Sequence, residues 1–297
     1  MFVPGDGESD PNLRDQFLDT GELRLHYAEG PRNGLPLILL HGIGQRWQAM
    51  LGLVPGLLPG NWLFAVDFRG HGQSGRVLRS YSTIAYARDI VVLLQKRIQE
   101  PAILHGHSLG GMVAMWIAAN HPELVRALIL SDNVMSDTAF SRSIYPTMFE
   151  NLRQITAGGG SVESIANRLA KLQIWVPSLD ELVFIGEIPG NDRAFLLWWA
   201  RSLHQLDPDT YAMTLDGSSA EGWDPDVLLS RIECPTLLLQ ANPELGGLMS
   251  DDDVIRAQRL LKHCFLVRCP TLGHAMHMQQ PATVLSAVQG FLAGLRE

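Results

Sequence analysis

Residues 106 to 111 read Gly-His-Ser-Leu-Gly-Gly, directly after the apolar run Pro101-Ala-Ile-Leu-His105. A serine between glycines, where a buried strand turns into a helix, is the pattern of a nucleophile elbow. Side chains at Gly106 or Gly110 would collide with the reversing backbone, so small residues are needed on both sides. The helix that follows puts free N–H groups and its positive dipole end beside Ser108. Serine is a weak nucleophile and needs a positioned base. Gly273-His274 supplies one, in a loop after the last predicted strand, with His277 three residues on as the competitor. The third partner should be a buried carboxylate that orients the imidazole. Chain order points to the loop after the strand Pro235 to Ala241, where Glu244 is the first carboxylate and the preferred acid. Asp132, just after an earlier strand, is the rival. Two N–H donors, from Ile43 in His41-Gly42-Ile43-Gly44 and from Leu109, are placed to stabilise an oxyanion. Together these groups would perform acyl transfer through a covalent serine.

Other chemistry-bearing residues carry less. Asp67-Phe-Arg-Gly-His-Gly-Gln-Ser74-Gly75 has the glycines of a phosphate cradle, but no Gly-Lys-Ser/Thr follows and no GxGxxG opens a helix. It reads as a compact loop tied by Asp67, Arg69 and Ser74. His105 and His107 have no third ligand spaced to join them, so no metal site and no cofactor is expected. Cys234, Cys264 and Cys269 are an odd count without metal spacing and read as small buried thiols. Asp251, Asp252 and Asp253 fit the first turn of a helix.

The elements that must position these groups follow from hydrophobic patterning. Gln16 to Asp19 and Leu23 to Ala28 flank Thr20-Gly21-Glu22, which predicts an opening hairpin. Leu35 to His41, Asn61 to Asp67, Ala102 to His107, Val125 to Ser131, Pro235 to Ala241 and Cys264 to Arg268 are continuous apolar runs, as in strands covered on both faces. Helical stretches alternate with them over Thr83 to Gln99, Leu109 to Asn120, Asp251 to Lys262 and Pro281 to Leu295. Strand alternating with helix predicts parallel βαβ units. The alternation stops at about Asp132 and resumes at about Cys234. Between them lie Gly158-Gly159-Gly160, helix-like patterns at Ile165 to Ile174 and Ala194 to His204, and Trp175, Trp198, Trp199 and Trp223. This stretch is expected to form a helical cap over the carboxyl ends of the strands, where open α/β sheets bind ligands. Most of these tryptophans are expected to hold the insertion to the sheet, with one or two lining an apolar pocket.

The chain has 297 residues, a net charge of −8 and 46% hydrophobic residues. Without a basic run it is not suited to grip phosphate backbones. Met1 to Asp10 lacks the positive start and apolar stretch of a secretory signal, so a cytoplasmic location is expected. Apolar stretches of four to eight residues are far short of the roughly 20 needed to span a bilayer.

The chain resembles the α/β-hydrolase family over nearly its full length. The resemblance rests on His41-Gly42-Ile43-Gly44, Asp67 through Ser74, Gly106 through Gly111 and Gly273-His274, in that order and with family-like spacing. It implies an α/β fold with a mostly parallel eight-stranded sheet, helices on both faces and an inserted helical cap. On this mapping residues 1–133 and 231–297 form the core domain and 134–230 the cap. It also implies a Ser-His-acid triad without a cofactor. The family's acid, usually Asp three residues after a small residue, falls on Glu244 after Ala241, a departure in residue type. Ser108 argues against the epoxide hydrolases and haloalkane dehalogenases of the family, which carry Asp at the elbow. His41 is not followed by the Gly-Pro-Gly of the carbon–carbon hydrolases. Arg69-Gly70-His71-Gly72 is similar to esterase, enol-lactonase and cofactor-free haloperoxidase-like members. The expected activity is hydrolysis of a carboxylic ester or lactone of a small apolar molecule through an acyl-enzyme. Carbon–carbon hydrolysis or acyl transfer on the same triad is the alternative; a non-catalytic small-molecule receptor fits less well, because it has no need of Ser108 and His274. The expected partner is a small-molecule substrate, bound by a monomer or homodimer, with neither nucleic acid nor membrane.

Overall fold

The computed structural model describes residues 9–136, 140, 141, 143–176 and 181–295. The N-terminal turn signal forms the expected hairpin, in which β1 (Arg14–Asp19) pairs antiparallel with β2 (Arg24–Glu29). Its second strand lies antiparallel to β4 (Asn61–Val66), which pairs parallel with β3 (Leu35–Leu40). On the other side of β3 come β5 (Ala102–His107) and β6 (Val125–Ser131), also parallel. The last two strands of the sheet, β9 (Thr236–Ala241) and β10 (Cys264–Cys269), extend it to eight strands in the order β1-β2-β4-β3-β5-β6-β9-β10. From β3 the chain adds β4 on one side and returns to add β5 on the other. The carboxyl ends of β3 and β5 therefore lie side by side at the reversal of strand order, where open α/β sheets hold ligands.

Continuous apolar strands are explained by burial on both faces. In β3, Leu37 and Leu39 enter one core while Ile38 and Leu40 enter the other. Burying each such side chain is worth roughly 1.5–3 kcal/mol. One face is covered by α1 (Thr83–Leu93) and α2 (Leu109–Asn120), and the other by the helical turns of Trp47–Leu53 and Val54–Leu57. The predicted Thr83 to Gln99 helix thus ends its regular part early, continuing as a π-turn over Leu94–Ile98.

Between β6 and β9 the chain builds a separate layer. It contains α3 (Tyr145–Ala157), α4 (Val162–Ala170), a two-stranded ribbon of β7 (Gln173–Val176) and β8 (Glu181–Phe184), α5 (Arg193–His204) and α6 (Asp209–Leu215). Phe149, Leu152, Ile165, Leu169, Leu203 and Tyr211 form its core. Helix starts are capped by Ser161 and Asp192, whose side chains accept from Ser164 N–H and Phe195 N–H. One expectation needs correction here. The helix predicted over Ile165 to Ile174 stops at Ala170, and Gln173–Val176 runs extended, with β-branched Ile174 and aromatic Trp175 suited to a ribbon. Trp223, with Leu228 and Leu229 of α7 (Pro225–Arg231), sits in the core that also holds α2, on the sheet side as expected of a tryptophan that fastens this segment. The sheet is completed by α8 (Asp251–Leu260), opened by a Ser250–Asp253 capping box, and α9 (Pro281–Gly294).

The Asp67–Ser74 loop is held by buried polar contacts. The Asp67 carboxylate accepts Trp47 N–H (2.8 Å) and Gln73 N–H (3.0 Å) and pairs with His26 Nδ1 (2.7 Å), while Ser74 Oγ donates to the Asp67 carbonyl (2.6 Å). Arg69 is buried and grips Asp89 with two hydrogen bonds of 2.7 and 2.8 Å. Arg69 also binds Glu22 (2.9 Å), but that carboxylate is largely exposed, so removing Asp89 takes away the buried counter-charge of a buried cation. Asp89→Ala is therefore expected to lower stability by about 3–5 kcal/mol in urea unfolding, and the double replacement Arg69→Met/Asp89→Leu to recover much of the loss. Equal stability of Asp89→Ala and wild type would show that the pair is not what holds this loop.

Candidate active site

Ser108 lies at the junction of β5 and α2 with φ 52° and ψ −116°. This is sparsely populated backbone for a non-glycine residue and costs of order 1–3 kcal/mol. The flanking glycines permit it. A Cβ on Gly106 would lie 2.2 Å from the Gly110 carbonyl oxygen, and one on Gly110 would lie 2.2 Å from that of Leu40 in β3. The close approach holds Ser108 beside the loop that follows β3.

His274, in the loop after β10, directs Nδ1 to Asp132 Oδ2 at 2.7 Å. Asp132 follows β6 in a left-handed conformation (φ 45°) and is fully buried. Its carboxylate also accepts the N–H groups of Leu248 (2.8 Å), Met249 (3.1 Å) and Ala241 (3.4 Å). A carboxylate that is fixed by three backbone donors and faces Nδ1 accepts the Nδ1–H and selects that tautomer, leaving Nε2 as the unprotonated ring nitrogen. Of the two carboxylates weighed in the sequence, His274 thus meets Asp132, the rival, and not the preferred Glu244. Glu244 sits in the 3₁₀ turn Pro243–Leu245, exposed at the cavity edge, with its own N–H donating to Asn242 Oδ1 at 2.9 Å. The loop after β9 serves the acid with N–H groups from Leu248 and Met249 and does not supply it. His277, the competing base, is buried against His107 (ring centroids 4.3 Å apart), and neither of its ring nitrogens has a partner among the described residues.

The two expected oxyanion donors lie in the loops after β3 and β5, on neighbouring strands. The N–H groups of Ile43 and Leu109 have no backbone or side-chain acceptor among the described residues, and Gly42, Ile43, Gly44, Ser108 and His274 line one cavity of about 1010 Å³. Neutral imidazoles set the shape of the first loop. His71 Nδ1–H donates to the Arg69 carbonyl (2.9 Å), so its Nε2 accepts Gly44 N–H (3.1 Å). His41 Nδ1–H donates to the Gly42 carbonyl (2.7 Å), and its Nε2 accepts Phe68 N–H (3.2 Å). His107, beside the serine, donates Nε2–H to the His274 carbonyl at 3.0 Å and ties the base loop to the nucleophile strand. These bracing roles were not legible in the sequence beyond the crowding of histidines near Gly residues. Trp175, Trp198 and Trp199 line the cavity together with Met148, Phe149 and Phe195. Among the described residues, no group of three His, Cys, Asp or Glu side chains could hold a metal ion, and no helix is long and apolar enough to cross a membrane.

The family model for the alpha/beta hydrolase fold matches residues 36–281. The chain belongs to this family. As an α/β hydrolase it has hydrolases among its relatives. A soluble epoxide hydrolase from Corynebacterium sp. (strain C12) is 25% identical over 212 residues, covering 65% of this chain and 73% of that protein. The sn-1-specific diacylglycerol lipase ABHD11 of Danio rerio is 25% identical over 301 residues, covering 98% of this chain and 89% of its own. A thermophilic esterase from Thermogutta terrifontis superimposes with a TM-score of 0.69 at 22% identity, covering 96% of this chain and 100% of the esterase. That last likeness establishes shared fold only.

The buried histidines of this α/β hydrolase make its stability pH-dependent. Burial lowers the pKa of His71, His105 and His277 to about 3, with nearby His41 adding to the effect at His71 and His105 adding at His277. In the unfolded chain the same groups titrate near 6.5. Below that pH the unfolded state binds protons that the folded state does not, so stability falls as pH drops from about 6.5 toward 3, by up to ~1.4 kcal/mol per pH unit for each histidine. His26 opposes the trend: desolvation is the largest influence and lowers its pKa, but the hydrogen bonds to Asp67 and Asp15 and the charges of these two carboxylates together outweigh it, and the net shift is upward. Thermal melts between pH 7 and 5 should show a steep acid-side loss that His105→Gln makes shallower. A flat profile would contradict the neutral, buried state of these rings.

Proposed function

We propose that this α/β hydrolase cleaves a carboxylic ester or lactone of a small apolar molecule through an acyl-serine. The observation that carries this reading is the pairing of His274 with buried Asp132 at 2.7 Å in the same cavity as Ser108 on its strained elbow. In the proposed reaction, His274 Nε2 takes the proton of Ser108 Oγ as the oxygen attacks the carbonyl carbon. The carbonyl oxygen becomes an oxyanion facing the Ile43 and Leu109 N–H groups, which need no reorganisation to receive it. Collapse of the tetrahedral species expels the alcohol, which takes the proton from His274, and leaves the acyl group on Ser108. Water then attacks the acyl carbon, giving a proton to His274, and the second tetrahedral species collapses as His274 returns that proton to Ser108 Oγ and the acid is released. Asp132 holds the imidazole in the required tautomer and stabilises the imidazolium formed in each half. The aromatic lining supports an apolar acyl or alcohol group, because desolvation of apolar surface supplies binding at about 25 cal/mol per Å².

A series of p-nitrophenyl esters of rising acyl length is expected to be turned over with burst kinetics, and a phosphonate probe to label Ser108 and not Ser108→Ala. Absence of both turnover and labelling in wild type removes the acyl-serine reading. Asp132→Ala is expected to lower kcat on the order of 10⁴-fold, as for loss of the orienting acid in a serine triad. Glu244→Ala should change it less than roughly tenfold, since its carboxylate does not meet the imidazole. The reverse pattern would return the acid role to the loop after β9.

A further inference from the structure

Two tyrosines of the layer between β6 and β9 approach the site from opposite sides. Tyr145, at the start of α3, lays its ring against His274 (centroids 5.2 Å apart) and donates its hydroxyl to the Gly246 carbonyl at 3.1 Å. Tyr211, on α6, reaches the loop after β3. Phe149 stands between them, 5.8 Å from the Tyr145 ring and 5.1 Å from that of Tyr211. The three rings form a roof that runs from the base to the oxyanion loop, and all three line the cavity that contains Ser108.

Gly44 measures how closely Tyr211 approaches. A Cβ at Gly44 would fall 1.9 Å from the Tyr211 hydroxyl oxygen, and the backbone there has φ +72°, so the position excludes any other residue for two separate reasons. Tyr211 is only 1% exposed, yet its hydroxyl has no hydrogen-bond partner among the described residues. Buried tyrosines ordinarily find such a partner, whereas the Tyr211 oxygen stays open to the cavity that its ring lines. The nearest backbone donor, Gly44 N–H, is committed to His71, whereas Ile43 N–H, one residue earlier, is uncommitted. Tyr211, with its uncommitted hydroxyl, and Ile43, with its uncommitted N–H, thus line the same cavity. Burial pushes the Tyr211 phenol up, which keeps it protonated and able to donate.

We propose that the Tyr211 hydroxyl, held against the oxyanion loop at Gly44, donates a hydrogen bond to the substrate carbonyl oxygen as that oxygen becomes the oxyanion, a third donor beside the Ile43 and Leu109 N–H groups. The step transfers no proton: the O–H bond stays intact and only a hydrogen bond strengthens as charge develops. This rests on the acyl-serine reading and adds to it that the layer between β6 and β9 takes part in catalysis as well as in shaping the cavity.

The test compares wild type with Tyr211→Phe on p-nitrophenyl butyrate and with a trifluoromethyl ketone, which Ser108 converts to a stable tetrahedral oxyanion. A donor used only in the transition state lowers kcat on the order of 10²-fold with KM nearly unchanged. The inhibition constant of the ketone should rise by a similar factor. A merely structural tyrosine would alter KM and the melting temperature without this match between kcat and the ketone. Unchanged kcat and ketone binding in a folded Tyr211→Phe overturns the proposal and leaves the acyl-serine reading intact. Wild type that neither turns over the ester nor binds the ketone overturns both. If Tyr211→Phe fails to fold, 3,5-difluorotyrosine at position 211 keeps the ring and lowers the phenol pKa. Activity should then fall as pH rises through its ionisation, and a profile identical to wild type overturns the proposal equally.

Discussion

The backbone contact between β3 and the β5–α2 junction is the constraint on which the site depends. Gly110 packs against the Leu40 carbonyl and Gly106 against Gly110, so closely that a single methyl group would not fit at either place. This lets Ser108 hold a conformation that costs free energy, and it brings the loops after β3 and β5 together without any flexible element between them. Rigidity here matters because the donors and the nucleophile must act on one atom. A loop supported on loose side chains could not keep them aligned to the tolerance that catalysis requires.

Around this contact the protein separates charge from neutrality. The buried anion Asp132 is surrounded by three backbone N–H groups and one imidazole, so its charge is stabilised by oriented dipoles rather than by a cation. His41 and His71 have their pKa values lowered by burial and act as fixed struts, each with one nitrogen donating to a carbonyl and the other accepting an N–H. Arg69 and Asp89 perform the corresponding task further out by anchoring the Asp67–Ser74 loop on which His71 sits. Oxyanion loop, base and acid are therefore held by separate polar networks that meet at β5.

Much of the molecule was legible in the chain. Apolar runs located the parallel strands to within about one residue at most ends, because strands buried on both faces are apolar at most positions rather than at alternate ones. The elbow was legible because its backbone geometry admits so few residues that composition alone reports it. The ribbon at Gln173–Val176 and Glu181–Phe184 was not, since Ile165, Leu169 and Leu172 keep a helical spacing right up to its first residue. The role of Tyr211 was not legible either. Nothing in Asp209–Leu215 distinguishes a tyrosine that fills a core from one that reaches a loop 167 residues away in sequence.

Sequence by itself determined the elements, the elbow at Ser108 and the position of His274, each of which follows from local rules of backbone sterics and hydrophobic period. Only tertiary structure decided which carboxylate meets His274. Glu244 and Asp132 both follow strands of the same sheet, and chain order favours the first, but β6 lies between β5 and β9 and places Asp132 next to the nucleophile strand. The loop after β9 then folds back so that Leu248 and Met249 present N–H groups to Asp132, while the turn at Pro243–Leu245 carries Glu244 out to solvent. A carboxylate's role depends on which donors surround it, and those donors come from residues more than a hundred positions away.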